Sequence, residues 1–168
     1  MNEKSTQADS NWSKFHQNKA KTNYPTWPNE VMVKTLFGSY LADRVKLESG
    51  MKVLDIGCGF GNNLLPFLNM GCDCYGVEVT SDIAELTQGI LKERGYSATI
   101  KQGKNSALPF EDGFFDLVVS LNVLHYEKTE AEISSALKEY NRVLKKGGRL
   151  FLMTVGPEHA INKRAKVI

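Results

Sequence analysis

Val53-Leu54-Asp55-Ile56-Gly57-Cys58-Gly59-Phe60-Gly61 is an apolar, β-type run that breaks into three glycines at alternate positions. Lys52 precedes it, and Asn62-Asn63-Leu64-Leu65-Pro66-Phe67-Leu68 follows as the start of a helix. Strand, glycine turn and helix N-terminus make the first βα unit of a nucleotide-binding sheet. Glycines let the backbone turn tightly and approach a ligand with no Cβ in the way. The unpaired N–H groups of a helix start favour electron-rich ligand atoms. The spacing is Gly-x-Gly-x-Gly, not the Gly-x-Gly-x-x-Gly of a dinucleotide fingerprint, and the Lys-Ser/Thr of a phosphate-cradling loop is absent. Asp55, two residues before the first glycine, would repel a pyrophosphate and suits a ligand that carries positive charge.

Downstream, a helix ends at Gly71 and a second strand, Cys72-Asp73-Cys74-Tyr75-Gly76-Val77, runs into Glu78. An acid at that strand's end, 21 residues after Gly57, suits accepting hydrogen bonds from the hydroxyls of a ribose. Thr80-Ser81-Asp82 offers N-caps for a helix through Ile83, Leu86, Ile90 and Leu91. A third strand, Ala98-Thr99-Ile100-Lys101-Gln102, leads to Gly103-Lys104-Asn105-Ser106-Ala107-Leu108-Pro109-Phe110 and an acidic turn. Phe115-Asp116 opens the fourth strand, Leu117-Val118-Val119-Ser120, which continues as Leu121-Asn122-Val123-Leu124-His125-Tyr126. Thr129 and Glu132 form a capping box for a helix through Ile133, Leu137, Tyr140 and Val143. Gly147-Gly148 stops that helix before a final strand over residues 149–155.

These blocks, in this order, resemble the class I S-adenosylmethionine-dependent methyltransferases over roughly residues 51–155. The resemblance rests on the glycine turn with Asp55, on Glu78, on Leu108-Pro109-Phe110 with Phe115-Asp116, and on Leu144-Lys145-Lys146-Gly147-Gly148-Arg149-Leu150. It implies a Rossmann-like, three-layer α/β/α sandwich with a mainly parallel sheet in the order 3-2-1-4-5. It implies S-adenosylmethionine as cofactor and S-adenosylhomocysteine as product. The methionine part would lie by Asp55, Gly57, Cys58, Gly59, Gly61, Asn62, Leu121 and Asn122. Glu78 would hold the ribose, Val79 would pack on adenine, and Lys104, Asn105 and Ser106 would close around the adenine edge. Two departures stand out. Similar proteins commonly have an Asp where this chain has Lys104, which cannot accept a hydrogen bond, so Asn105, Ser106 or backbone groups must serve. Only 13 residues follow Val155, too few for the helix and antiparallel hairpin that usually complete this sheet. The fifth-strand edge is therefore expected to be open unless a second copy, a partner chain or a further segment of a longer product covers it.

Working outward to the termini, residues 1–23 read as a mobile arm with Trp12 and Phe15 as anchors, and residues 24–50 as a helical cap. Pro28 is placed to open the cap's helix, which runs to about residue 46 with a stripe of Val33, Leu36, Phe37, Tyr40 and Leu41. Tyr24 and Trp27 are candidate acceptor contacts. The binding domain spans 51–156, and 157–168 is a polar, basic tail. His125, just beyond the fourth strand, is the candidate general base; His16 and His159 read as solvated. Cys58, Cys72 and Cys74 show no metal-ligand spacing. The chain has 168 residues, net charge +2, 42% hydrophobic and 24% charged residues, which fits one soluble domain. That net charge is too small to argue for nucleic acid by itself. The basic C-terminal run from Lys138 onward, eight Lys and Arg against Glu139 and Glu158, reads as a solvated helix face and polar tail, so a nucleic-acid partner is not expected. No signal segment or membrane span is evident, so a reducing cytoplasm is expected. The reaction expected is methyl transfer to a small-molecule or glycan acceptor. The alternatives are an RNA or protein methyltransferase, or a non-catalytic cofactor-binding subunit that needs a partner.

Overall fold

Lys52–Ile56 forms β1 at the centre of a five-stranded sheet in the order β3-β2-β1-β4-β5. The flanking strands are β2 (Asp73–Glu78), β3 (Thr99–Gln102), β4 (Phe115–Leu121) and β5 (Leu144–Met153). The computed structural model describes residues 3–22, 27–39 and 41–156, with side chains from residue 10 onward. All strand pairs are parallel; Asp55 of β1 lies opposite Gly76 of β2 and Val119 of β4. This is the expected fold and strand order. Parallel strands need crossover helices that cover both faces, so their sequences are apolar at consecutive rather than alternate positions.

Each face has its own core. Val53, Leu117, Val119 and Leu121 pack with Met32 and Leu36 of α2 (Glu30–Phe37), Phe67 of α3 (Leu65–Asn69) and Leu91 of α4 (Ser81–Glu93). Leu54, Ile56, Val77, Phe115 and Val118 pack on the other face with Ala136, Tyr140 and Val143 of α5 (Glu130–Val143). α5 starts with the expected capping box: the Thr129 hydroxyl accepts from Glu132 N at 3.2 Å, and the Glu132 carboxylate accepts from Thr129 N at 3.0 Å. Its Arg142 donates to the Leu108 and Phe110 carbonyls and to Glu139 and Asp112, fastening the loop before β4 onto the helix.

Several local expectations are corrected. Residues Glu3–Ala20, read as an arm, form helix α1. α2 is capped by Asn29, whose side chain accepts from Met32 N, and ends at Phe37 with Gly38 following. Leu41 is therefore outside the helix and exposed; Tyr40 is outside the described residues. Pro66 sits in the first turn of α3, where its missing N–H costs nothing. Thr80 occupies the N-cap of α4 without a side-chain capping bond. α5 gives way to strand at Leu144, before Gly147-Gly148, and a register shift between Phe115 and Leu117 absorbs the glycines. Residues 157–168, with His159 and the expected tail, lie outside the described residues. Among the described residues no helix is long and apolar enough to cross a membrane.

Candidate cofactor site

The carboxyl ends of β1 and β2 and the segment that follows β4 meet at the 57–61 turn. Gly57, Gly59 and Gly61 have φ of +68°, +54° and +75°, a conformation open to glycine at little cost. At Gly57 the space is also closed: a Cβ there would stand 2.5 Å from Val123 Cγ2. The turn hangs on β2, because the N–H groups of Gly57 and Cys58 donate to the Val77 carbonyl at 2.9 and 3.3 Å. Cys58 is buried, and burial followed by the nearby Glu78 and Asp55 carboxylates pushes its thiol well above the ordinary range. It fills space against Gly76 and offers no thiolate.

Asp55 ends the central strand at 1% exposure; neither oxygen makes a hydrogen bond of good geometry, and the Asn63 side chain stands close enough to donate to it. Burial, then repulsion from Glu78, raises its pKa to about 8, against the smaller opposing pull of that Asn63 hydrogen bond. A buried carboxyl with no cation beside it is costly to keep ionised, and a cation is the group that would satisfy it. Glu78, 3% exposed at the tip of β2, accepts from Gly59 N at 2.6 Å and from Val79 N at 3.2 Å. Burial raises its pKa as well, opposed by the Gly59 N–H, by His16 and by the Val79 N–H. Two buried carboxylates therefore face one glycine turn.

Helix α1 lies over that turn. Ser13 and Gln17 donate to the Asp82 carboxylate in the first turn of α4. His16, expected to be solvated, is 6% exposed. Its ring packs 5.1 Å from Phe60 within the turn and 5.2 Å from Trp12, and Trp12 in turn lies 5.6 Å from Tyr126 beyond β4. Its Nε2 stands 3.5 Å from where a Cβ on Gly59 would be.

Residues 54–152 match the family model of a methyltransferase domain. The chain belongs to that family. It is 33% identical over 103 residues to the uncharacterized methyltransferase YcgJ of Bacillus subtilis, covering 61% of this chain and 40% of that protein. The crystal structure of YcgJ superposes with a TM-score of 0.59 at 30% identity, over 71% of this chain and 47% of that one. A sterol 4-C-methyltransferase of Caenorhabditis elegans is 30% identical over 67% of this chain and 34% of its own length. A tRNA (carboxymethyluridine(34)-5-O)-methyltransferase of Xenopus tropicalis is 29% identical over 86% of this chain and 20% of its own. The chain thus spans 40% or less of each of these relatives.

The methyltransferase domain gathers the remaining candidates unevenly. Asn62, Val79 and Leu121 border the turn and strand ends. Asn122 is exposed with φ +56°, a conformation uncommon for a residue other than glycine, and its N–H donates to Met153 O at 2.8 Å. Lys104 and Ser106 are exposed in a tight turn closed by the Lys104–Ala107 pairing. Asn105 is already engaged on both sides: its Oδ1 accepts from the Tyr140 hydroxyl at 3.1 Å and its Nδ2 donates to Glu127 at 2.8 Å. It ties the β3 loop to the segment after β4, with one acceptor site on Oδ1 and one N–H on Nδ2 beyond those two bonds. His125 stacks 4.2 Å from Tyr126, with both ring nitrogens shielded from solvent. Trp27 is 82% exposed, and Tyr24 lies outside the described residues. Sequence reasoning missed His16 and Ser13, although Trp12, Phe15, His16 and Lys19 stand at the three- and four-residue spacing of one helix face.

Proposed function

We propose that this methyltransferase domain binds S-adenosylmethionine at the 57–61 turn and transfers its methyl group to a small-molecule or glycan acceptor. The observation that carries this reading is Asp55: a buried carboxyl with no cation beside it among the described residues, at the end of the central strand and next to a second buried acid. A ligand with an ammonium group supplies the missing charge, and the fit is chemical as well as steric because the glycines leave no Cβ above the turn. Asp55 would hold the methionine ammonium, the turn its carboxylate end, Glu78 the ribose and Val79 the adenine face. When bound, S-adenosylmethionine supplies an electrophilic methyl group on a sulfonium. The chain's task is then to hold the acceptor in line and keep water out. Helix α1, which packs on Phe60 of the turn, would serve the second need.

Support for a small acceptor comes from charge. Arg142 and Lys145, the centre of the basic C-terminal run, are committed to Glu139, Asp112 and Asp116 at 2.7 Å each. That leaves less free charge for a phosphate backbone than the sequence suggests. Calorimetric titration with S-adenosylhomocysteine tests the cofactor reading. The expected result is binding in the micromolar range that Glu78→Ala abolishes. A folded protein that does not bind the ligand overturns it.

A further inference from the structure

Helix α1 is polar over most of its length, yet it buries Ser13 and His16 at the one place where buried acids await a ligand. The geometry of His16 is specific. Its Nδ1 lies 3.1 Å from the Trp12 carbonyl. A carbonyl oxygen only accepts, so Nδ1 carries a hydrogen, and the neutral ring presents Nε2 as an acceptor. Phe60 and Trp12 fix the ring plane at 50° and 76° to their own, and Nε2 is turned toward Gly59. The Gly59 N–H, in turn, is the donor that holds Glu78.

We infer that His16 is a ligand-contact residue of this site, accepting a hydrogen bond through Nε2 from a ribose hydroxyl of the bound adenosyl group. Glu78 approaches the ribose from the sheet and His16 from α1. A vicinal diol has two donors, and Glu78 already spends lone pairs on two backbone N–H groups, so a second acceptor is chemically apt. Helix α1 then becomes part of the binding site, fastened by Ser13 and Gln17 to Asp82. This rests on the cofactor reading above.

The probes are S-adenosylhomocysteine and its 2′-deoxy and 3′-deoxy analogues. His16→Phe keeps a ring against Phe60 and removes the acceptor. It is expected to weaken S-adenosylhomocysteine about five- to tenfold, the range of one lost hydrogen bond. One of the two deoxy analogues should bind wild type and variant equally. In ¹⁵N-labelled wild-type protein the His16 Nε2 resonance should move on ligand addition, a readout that needs no variant to fold. Unchanged affinity in His16→Phe together with an unmoved Nε2 resonance overturns the assignment while leaving the cofactor site standing. Absence of any binding by wild type removes both.

Discussion

At the scale of single residues, the site is defined by groups that are poorly satisfied without a ligand. Asp55 has an ordinary carboxyl pKa of 3.8 when the chain is unfolded and about 8 in the fold. Below pH 4 it is neutral in both states and costs nothing. As pH rises toward 8 the unfolded chain releases this proton and the folded one retains it, so the native state loses stability through that window by up to about 1.4 kcal/mol per pH unit. Asp55→Asn cannot ionise and should lack this slope. Urea-unfolding free energies of the two proteins should therefore converge near pH 4 and separate increasingly toward pH 8, with the variant the more stable and unable to bind S-adenosylhomocysteine tightly. Parallel curves across that range would mean that Asp55 finds a partner in solution. Glu78 is raised too, and because it and Asp55 repel one another, Asp55→Asn also relieves Glu78, a change that widens the separation toward high pH.

At the scale of elements, what could be read from the sequence depended on whether an element's own pattern or its neighbours' decided it. β1, β2 and β4 were legible because strands buried on both faces are apolar throughout, and α5 because Thr129 and Glu132 form a local capping box. α2 was read too long, since its stripe continues to Leu41 while Gly38 ends the helix. α1 was illegible as a packed element: it buries a serine and a histidine, residues whose burial depends on Asp82 and Phe60 far along the chain. Asn105, expected at the adenine edge, has a second role that depends on distant residues: Tyr140, 35 residues later, and Glu127 each bond its amide. That bridge joins α5 to the loops after β3 and β4, and the Ser120 hydroxyl donates to Tyr140 from the core at 3.4 Å. Tyr140→Phe keeps the ring and removes the hub of the bridge. It should cost about 1–3 kcal/mol, because Ser120 stays buried with its partner gone. The change should appear in the thermal midpoint; an unaltered midpoint would show that the ring alone does the work.

At the scale of the whole molecule, the domain divides into a sheet sealed by two cores and a helix laid across its ligand-binding edge. β1 and β4 are enclosed by α2, α3 and α4 on one side and α5 on the other, so their amides should open only with global unfolding. α1 buries few apolar groups and is held by aromatic edges around Trp12, His16, Phe60 and Tyr126 and by the bonds from Ser13 and Gln17 to Asp82. Helix α1 lies over the 57–61 turn through His16 and Phe60, so the proposed cofactor site predicts that a ligand reaches the turn when α1 lifts and the sheet stays closed. Hydrogen exchange should resolve this order of opening. Amides of α1 are expected to exchange faster than those of β1 and β4, and Asp82→Ala should speed α1 further while shifting the global unfolding midpoint little. Saturating S-adenosylhomocysteine should slow α1 in the wild type more than anywhere outside the 57–61 turn, because the proposed site lies between that turn and His16 of α1. If Asp82→Ala instead accelerates α1 and the central strands together, the helix is integral to the core, and ligand entry must follow another path.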